Sequence, residues 1–300
     1  MKEINIGPYQ YIADDNWATG PDNFTWGETA SVATDSQDNV YVYSRTDRPL
    51  MIFDSEGNYL RTWGKEIVND AHGIYIDERD ILYLVDREDQ VALKVSNNGE
   101  VLLEMGIRGQ PSDTGYTSEN KTVLRAAGPF HHPTDVAVSK SSGGFYISDG
   151  YRNARIHKFD SLGNLEFSWG NPGNGPGEFN LPHSVWEHKD KIYVADRQNH
   201  RLQIFDLKGQ LVDIWNDFLQ PCKIYIDSND IIYVAELQSR ISLVALDGTI
   251  IGRLGGPNQE GKEPGKFLSP HGIWVDTTGS IYVTEVLQGK RIQKLTRKSF

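Results

Sequence analysis

Three histidines of this 300-residue chain stand in matching surroundings: His72 in "NDAHGIYID", His183 in "LPHSVWEHK" and His271 in "SPHGIWVD". Neutral imidazoles suit zinc, and three of them converging on one ion leave a fourth position open for water or substrate. Arginines recur at a second kind of position, Arg45, Arg87 and Arg197, each closing the second strand of a repeated unit. A guanidinium grips a carboxylate through two parallel hydrogen bonds, so arginines at one level beside a metal suit a small anionic substrate or product. Tyr151, in "SDGYRNARI", leaves the corresponding strand of another copy. A phenol beside a dication and arginines is favoured as phenolate and can serve as a general base.

These residues must be positioned by a repeat. A turn, an apolar strand, a Gly or Asn turn, a second strand of "IYV" type and a third strand occur six times. The copies begin "GETASVATD", "NDAHGIYID", "HHPTDVAVS", "LPHSVWEHK", "QPCKIYID" and "SPHGIWVD", and most close with a fourth strand such as "NYLRTWG" or "NLEFSWG". Short alternating strands joined by such turns, repeated every ~40 to 60 residues, are the mark of propeller blades. The expected fold is therefore an all-β, six-bladed β-propeller, read as a single domain over residues 1–300. The last copy runs out after "LTRKSF", so the N-terminal "PYQYIADDNW" is expected to pair on the outside of the last blade and close the ring, removing an open edge. Two longer inserts, "RGQPSDTGYTSENKTVLRAAGPF" and "NPGNGPGEF", read as rim loops able to shape a mouth.

Aligning the copies places Ala30, His72, Thr134, His183, Cys222 and His271 in one slot at the start of each innermost strand. Histidine fills every second slot, so the three imidazoles would approach the axis from three directions. A Pro-His start to a strand is also a structural habit of such repeats, with the ring bonded to a neighbouring blade. The alternation favours the metal, since of about 20 ways to fill three of six slots only two alternate. His131, His132, His157, His188 and His200 lie outside the slot and read as surface or loop residues, with His132 a minor candidate near the mouth. An arginine can equally pair with an acid such as Asp86 or Asp196, and a lone tyrosine is usually packing. The recurring acids Asp86, Asp149, Asp196, Glu236 and Glu285 read as structural braces.

The formal net charge of -11 opposes nucleic acid or an anionic membrane as partner, since both require clustered Lys and Arg. A single cysteine, Cys222, demands no oxidising compartment, and neither a signal peptide nor a membrane span is visible, which points to the cytoplasm. The oligomeric state is left open.

The runs "HHPTDVAVSKSSGGFYISDGYRNARI" and "LPHSVWEHKDKIYVADRQNHRLQIF" resemble blades of peptidyl-α-hydroxyglycine α-amidating lyase, and the wider repeat is of the NHL type. The likeness recurs at the His72, His271 and Arg45 motifs. It implies a six-bladed propeller in which His72, His183 and His271 hold zinc, Tyr151 is the catalytic tyrosine and Arg45 and Arg197 are active-site arginines. The implied reaction cleaves the C–N bond of an N-acyl α-hydroxyglycine, giving an amide and glyoxylate. The family's structural calcium uses a carboxylate directly after the third histidine, where this chain has Gly272, which argues against calcium there even though a carbonyl such as that of Ile74 remains. Ser269 stands where the family has a methionine beside the substrate, making that wall more polar. The family's disulfides, secretory signal and fused monooxygenase domain have no counterpart here, so a neuropeptide is not the expected substrate.

The expected function is a metal-dependent lyase acting on a small, anionic carbinolamide, with zinc, or iron or manganese, which imidazole also accepts. Arg87 adds a charge that would suit a second acidic group on the substrate. Two rivals stay open: an NHL-type protein-binding scaffold without chemistry, and a metal-dependent hydrolase or lactonase.

Overall fold

The structure is a computed structural model that describes residues 1–21 and 24–298. Strands dominate, and the only helical segment among the described residues is a 3₁₀ turn at Arg197–Asn199. No described helix is long and apolar enough to cross a membrane.

Six antiparallel sheets follow one another along the chain, as the repeat requires. They fall into two compact units, residues 68–221 with three sheets, and residues 1–67 with 222–300 carrying the other three. In the first unit, blade 2 consists of Ala71–Ile76, Leu82–Asp86, Val91–Val95 and Val101–Gly106. Blade 3 consists of Pro133–Val138, Phe145–Asp149, Arg155–Phe159 and Leu165–Trp169, and blade 4 of Pro182–His188, Lys191–Asp196, Arg201–Asp206 and Leu211–Trp215. In the second unit, blade 1 consists of Thr29–Thr34, Val40–Ser44, Leu50–Phe53 and Tyr59–Trp63, and blade 5 of Pro221–Ile226, Ile231–Glu236, Arg240–Ala245 and Ile250–Gly255. Blade 6 combines Pro270–Val275, Ile281–Glu285 and Arg291–Arg297 with two N-terminal strands, Lys2–Ile6 and Tyr9–Asp14.

The N-terminal segment pairs on the outside of the last blade, with Tyr11 opposite Arg297 and Asp14 opposite Lys294. It contributes a hairpin rather than one strand, so this sheet has five strands. Ile6, Tyr11 and Ala13 are thereby buried among Tyr233, Val283 and Leu295.

Within blade 5 the strands run from a largely buried inner one to a more exposed outer one, as in "PCKIYI" against "IIGRLG". The first turn of four blades is built on one aspartate. Asp35, Asp77, Asp227 and Asp276 accept backbone N–H groups two and four residues on, which fixes the tight turn. The second carboxylate oxygen accepts the hydroxyl of a buried tyrosine on the next strand, Tyr41, Tyr83, Tyr233 or Tyr282, so one side chain ties the turn to the core.

Candidate functional site

The slot residues owe their exceptional position to a bulge. Pairing of the first two strands slips between Ala71 and Ile74, between Pro182 and Ser184 and between Pro270 and Gly272, leaving His72, His183 and His271 outside the ladder. The same slip isolates Ala30 and Thr134. A β-bulge re-aims the extra residue, here at the start of the innermost strand. Carboxylates closing the second strands hold these bulges. Asp86, Asp149, Asp196 and Glu285 are fully buried, and each accepts the backbone N–H three residues before the slot, from Asn69, His131, Asn180 and Leu268. Four of the five braces expected from the sequence thus act directly on the slot, while Glu236 accepts from Arg240 and Ser242; burial raises Asp86 to a pKa of about 6 against the pull of these amides.

In the unit of blades 2 to 4, His72 and His183 are both 2% exposed, with ring centres 4.9 Å apart. His72 Nδ1 lies 2.5 Å from the carbonyl oxygen of Thr134, the slot residue of the next blade. A carbonyl only accepts, so Nδ1 carries the proton and Nε2 presents its lone pair. The Tyr151 hydroxyl lies 3.2 Å from His72 Nε2 and 3.2 Å from His183 Nε2. Tyr151 reaches this place because Gly150 abuts blade 4: a Cβ at Gly150 would stand 2.1 Å from the Pro182 carbonyl oxygen, in the residue next to His183. The lone pair of His72 Nε2 and the Nε2 of His183 beside one hydroxyl fit a metal that prefers imidazole.

Two guanidiniums stack on the same phenol, with Arg87 5.0 Å and Arg197 5.2 Å from the ring centre, and Arg197 also donates toward the hydroxyl at 3.4 Å. Arg87 is paired with Asp70 at 2.6 Å and with Glu88 at 3.4 Å. Asp86 and Asp196, the partners suggested by sequence, hold the bulges and, for Asp196, Arg201 instead. Arg197 opens the 3₁₀ turn after Asp196 and is 8% exposed.

In the unit of blades 1, 5 and 6, His271 repeats the His72 arrangement. It is 4% exposed, and its Nδ1 lies 2.6 Å from the carbonyl oxygen of the slot residue Ala30. The same tautomer follows, with the Nε2 lone pair directed away from that backbone. Arg45 is held by Glu28 at 2.7 Å. Ser269 is buried, donates its N–H to Glu285 and accepts the N–H of Val286. At Gly272 a Cβ would meet Thr284 Oγ1 at 2.4 Å and the Ser31 Cα at 2.7 Å, so this position cannot supply a carboxylate without displacing its neighbours.

Three of the histidines expected at the surface or in loops are buried, two of them in a loop and His157 on a strand. His157, 0% exposed, faces inward from the third strand of blade 3 between Asp149 at 3.3 Å and Ser168 at 2.8 Å. His131 contacts the hydroxyl of Thr114 from the long insert. His132, in the left-handed region at φ 59°, donates its N–H to Gln90 and lies 3.5 Å from Glu88. Burial, aided by Arg152 and Arg87, lowers its pKa to about 3.

The cleft beside Tyr151 lies between the two inserts expected as rim loops, although the sequence did not show which of their residues face it. It measures about 670 Å³ and runs between residues 121–123 of the long insert and the loop at residues 172–174. Both walls are fixed. Thr114 anchors the insert through the Arg152 carbonyl, and Arg201 and Asn199 donate to the carbonyls of Asn174, Gly175 and Gly173. The signal available was the length of the two inserts.

Fold and repeat define a six-bladed β-propeller, and known proteins agree. The family described as DUF5128, 6-bladed beta-propeller, matches residues 132–242. The NHL repeat-containing protein 3 of Homo sapiens is 30% identical over 305 residues, covering 95% of this chain and 83% of that protein. The chain belongs to this NHL-repeat propeller family. It is also 26% identical to the peptidyl-alpha-hydroxyglycine alpha-amidating lyase 2 of Drosophila melanogaster, over 91% of this chain and 71% of that protein. The peptidylglycine alpha-amidating monooxygenase of Rattus norvegicus matches at 30% identity over 60% of this chain, which spans only 20% of that protein. Among solved structures, one titled "Streptogramin B lyase structure" superposes with a TM-score of 0.66 at 12% identity, covering 96% of this chain and 98% of that one, a likeness of fold.

Proposed function

We propose that this propeller is a metal-dependent carbon–nitrogen lyase acting on a small anionic carbinolamide of the N-acyl α-hydroxyglycine type. The observation that carries the reading is the Tyr151 hydroxyl lying 3.2 Å from Nε2 of both buried histidines, His72 and His183, with Arg197 beside it. Similarity to named amidating lyases supports it. His72 and His183 would hold the metal, with His271, whose tautomer matches that of His72, as the third ligand. A bound zinc, or iron or manganese in its place, would supply Lewis acidity toward an oxygen of the substrate.

The chain's own groups do the rest. Arg45 and Arg197 hold the substrate carboxylate. Tyr151 takes the proton of the α-hydroxyl. The electron pair of that O–H bond forms the new carbonyl, the C–N bond breaks with its electron pair staying on the amide nitrogen, and that nitrogen takes the proton now held by Tyr151, which restores the base. Arg87 and Ser269 line the substrate, Arg87 facing a second acidic group. The products are an amide and glyoxylate or a related carbonyl acid, and the site is distinguished from a scaffold by its need for metal.

Metal analysis tests the ligand set. The purified protein is expected to hold about one equivalent of a divalent transition metal, with occupancy lost in His72→Ala, His183→Ala and His271→Ala. A wild-type protein that neither contains nor takes up such a metal would overturn the assignment.

A further inference from the structure

We infer that the cleft beside Tyr151 holds the acyl arm of the substrate and that Lys121 selects an arm ending in an anion; this rests on the lyase reading. The cleft includes Tyr151 in its own wall, so a group attached to the nitrogen of a carbinolamide at Tyr151 has this space before it. Its volume, about 670 Å³, is that of a site for a ligand well beyond an acetyl group. Thr122, Asn174, Asn180 and Gln198 give the lining donors and acceptors of both kinds, which suits an arm containing amide groups rather than a bare hydrocarbon chain.

Charge decides the rest. The chain has 41 acidic residues, yet none lines the cleft among the described residues, and Lys121 is the one cationic side chain that does. In a protein of net charge -11, a wall without carboxylates and with one ammonium repels no anionic arm and offers a cationic one no partner. Lys121 belongs to the insert whose base is pinned by Thr114, so its backbone is placed even though its side chain is exposed. An exposed ammonium gives modest selectivity, about threefold to fivefold in affinity.

The test uses N-acylglycines, which lack the hydroxyl and cannot react, with acyl chains of graded length ending in carboxylate, carboxamide or ammonium. Binding to the metal-loaded wild-type, K121A and K121E proteins is measured by calorimetry. The carboxylate-ended compound is expected to bind about threefold to fivefold more tightly than its carboxamide at the length that reaches the insert. That preference vanishes in K121A and turns toward the ammonium in K121E, while N-acetylglycine binds all three proteins alike. Equal affinity of all ends at every length, or a preference unchanged in K121E, would overturn the proposal. Glyoxylate release from N-acetyl-α-hydroxyglycine by the same samples reports separately on the lyase reading: its absence beside an intact charge preference counts against the chemistry alone.

Discussion

At the scale of residues, the account rests on how little freedom the central side chains have. The tautomer of His72 is set by a carbonyl at 2.5 Å, so its Nε2 lone pair is available without reorganisation. Tyr151→Phe removes the hydroxyl that touches both histidines while keeping the ring on which two arginines stack. Its kcat for glyoxylate release is expected to fall 10²- to 10⁴-fold, the usual weight of a general base, with metal content unchanged. A kcat within a few-fold of wild type would remove Tyr151 from the chemistry. His132 governs a different property. Folded, it resists protonation down to a pH of about 3, whereas the unfolded chain takes the proton near its ordinary value of 6.5. Stability from the neutral ring is therefore complete above about pH 6.5 and declines as pH falls toward 3. Asp86, raised to about 6, works in the opposite sense over its own window. Urea midpoints followed from pH 7 to pH 4.5 are expected to fall less in His132→Gln than in wild type, and parallel curves would contradict this.

At the scale of elements, the unit of design is a bulge held by a buried acid. The repeat was legible because alternating strands and Gly or Asn turns carry a fixed period, and the matching residue types of the copies isolated the slot. The bulge was not legible: a register slip between Pro182 and Ser184 changes pairing but leaves the pattern of residue types intact. Nor was the burial of His157, whose polarity suggested a surface until its partner Asp149 was seen to be buried as well. Asp196→Ala removes the acceptor that fixes the amide before His183 and leaves the guanidinium of Arg201 buried without its carboxylate. A loss of about 3 to 5 kcal/mol is expected, read as a lowered urea midpoint, together with weakened metal binding. Gly272→Asp tests the calcium argument at the same level. Its Cβ collides with Thr284 and Ser31, so the variant is expected to unfold at lower temperature and gain no calcium affinity, while a stable variant that binds calcium would show that the backbone yields.

At the scale of the whole molecule, the sequence showed six copies and the need for a further partner on the last blade, since a copy with only three strands of its own leaves an edge. That the partner is a hairpin was hidden, because "KEINI" lies before the segment that carried the pairing signal and has no counterpart in the repeat. The two inserts were legible as rim loops, but the residues that face the cleft were not, because loops without periodicity give no register from which to place them. Deleting residues 1–14 exposes the edge of Arg291–Arg297 and unburies Ile6 and Tyr11. The shortened chain is expected to lose on the order of 4 kcal/mol and to self-associate with rising concentration, visible by light scattering.

The central claim is that this acidic propeller of the NHL-repeat family breaks the C–N bond of a carbinolamide. Glyoxylate release from an N-acyl-α-hydroxyglycine, measured on metal-loaded wild-type protein beside Tyr151→Phe and a chelated control, tests it most directly. The account predicts metal-dependent release by the wild type and loss of at least 10²-fold in the variant. Metal-loaded wild-type protein that releases no more glyoxylate than buffer would contradict it and favour the rival reading of a binding scaffold without chemistry.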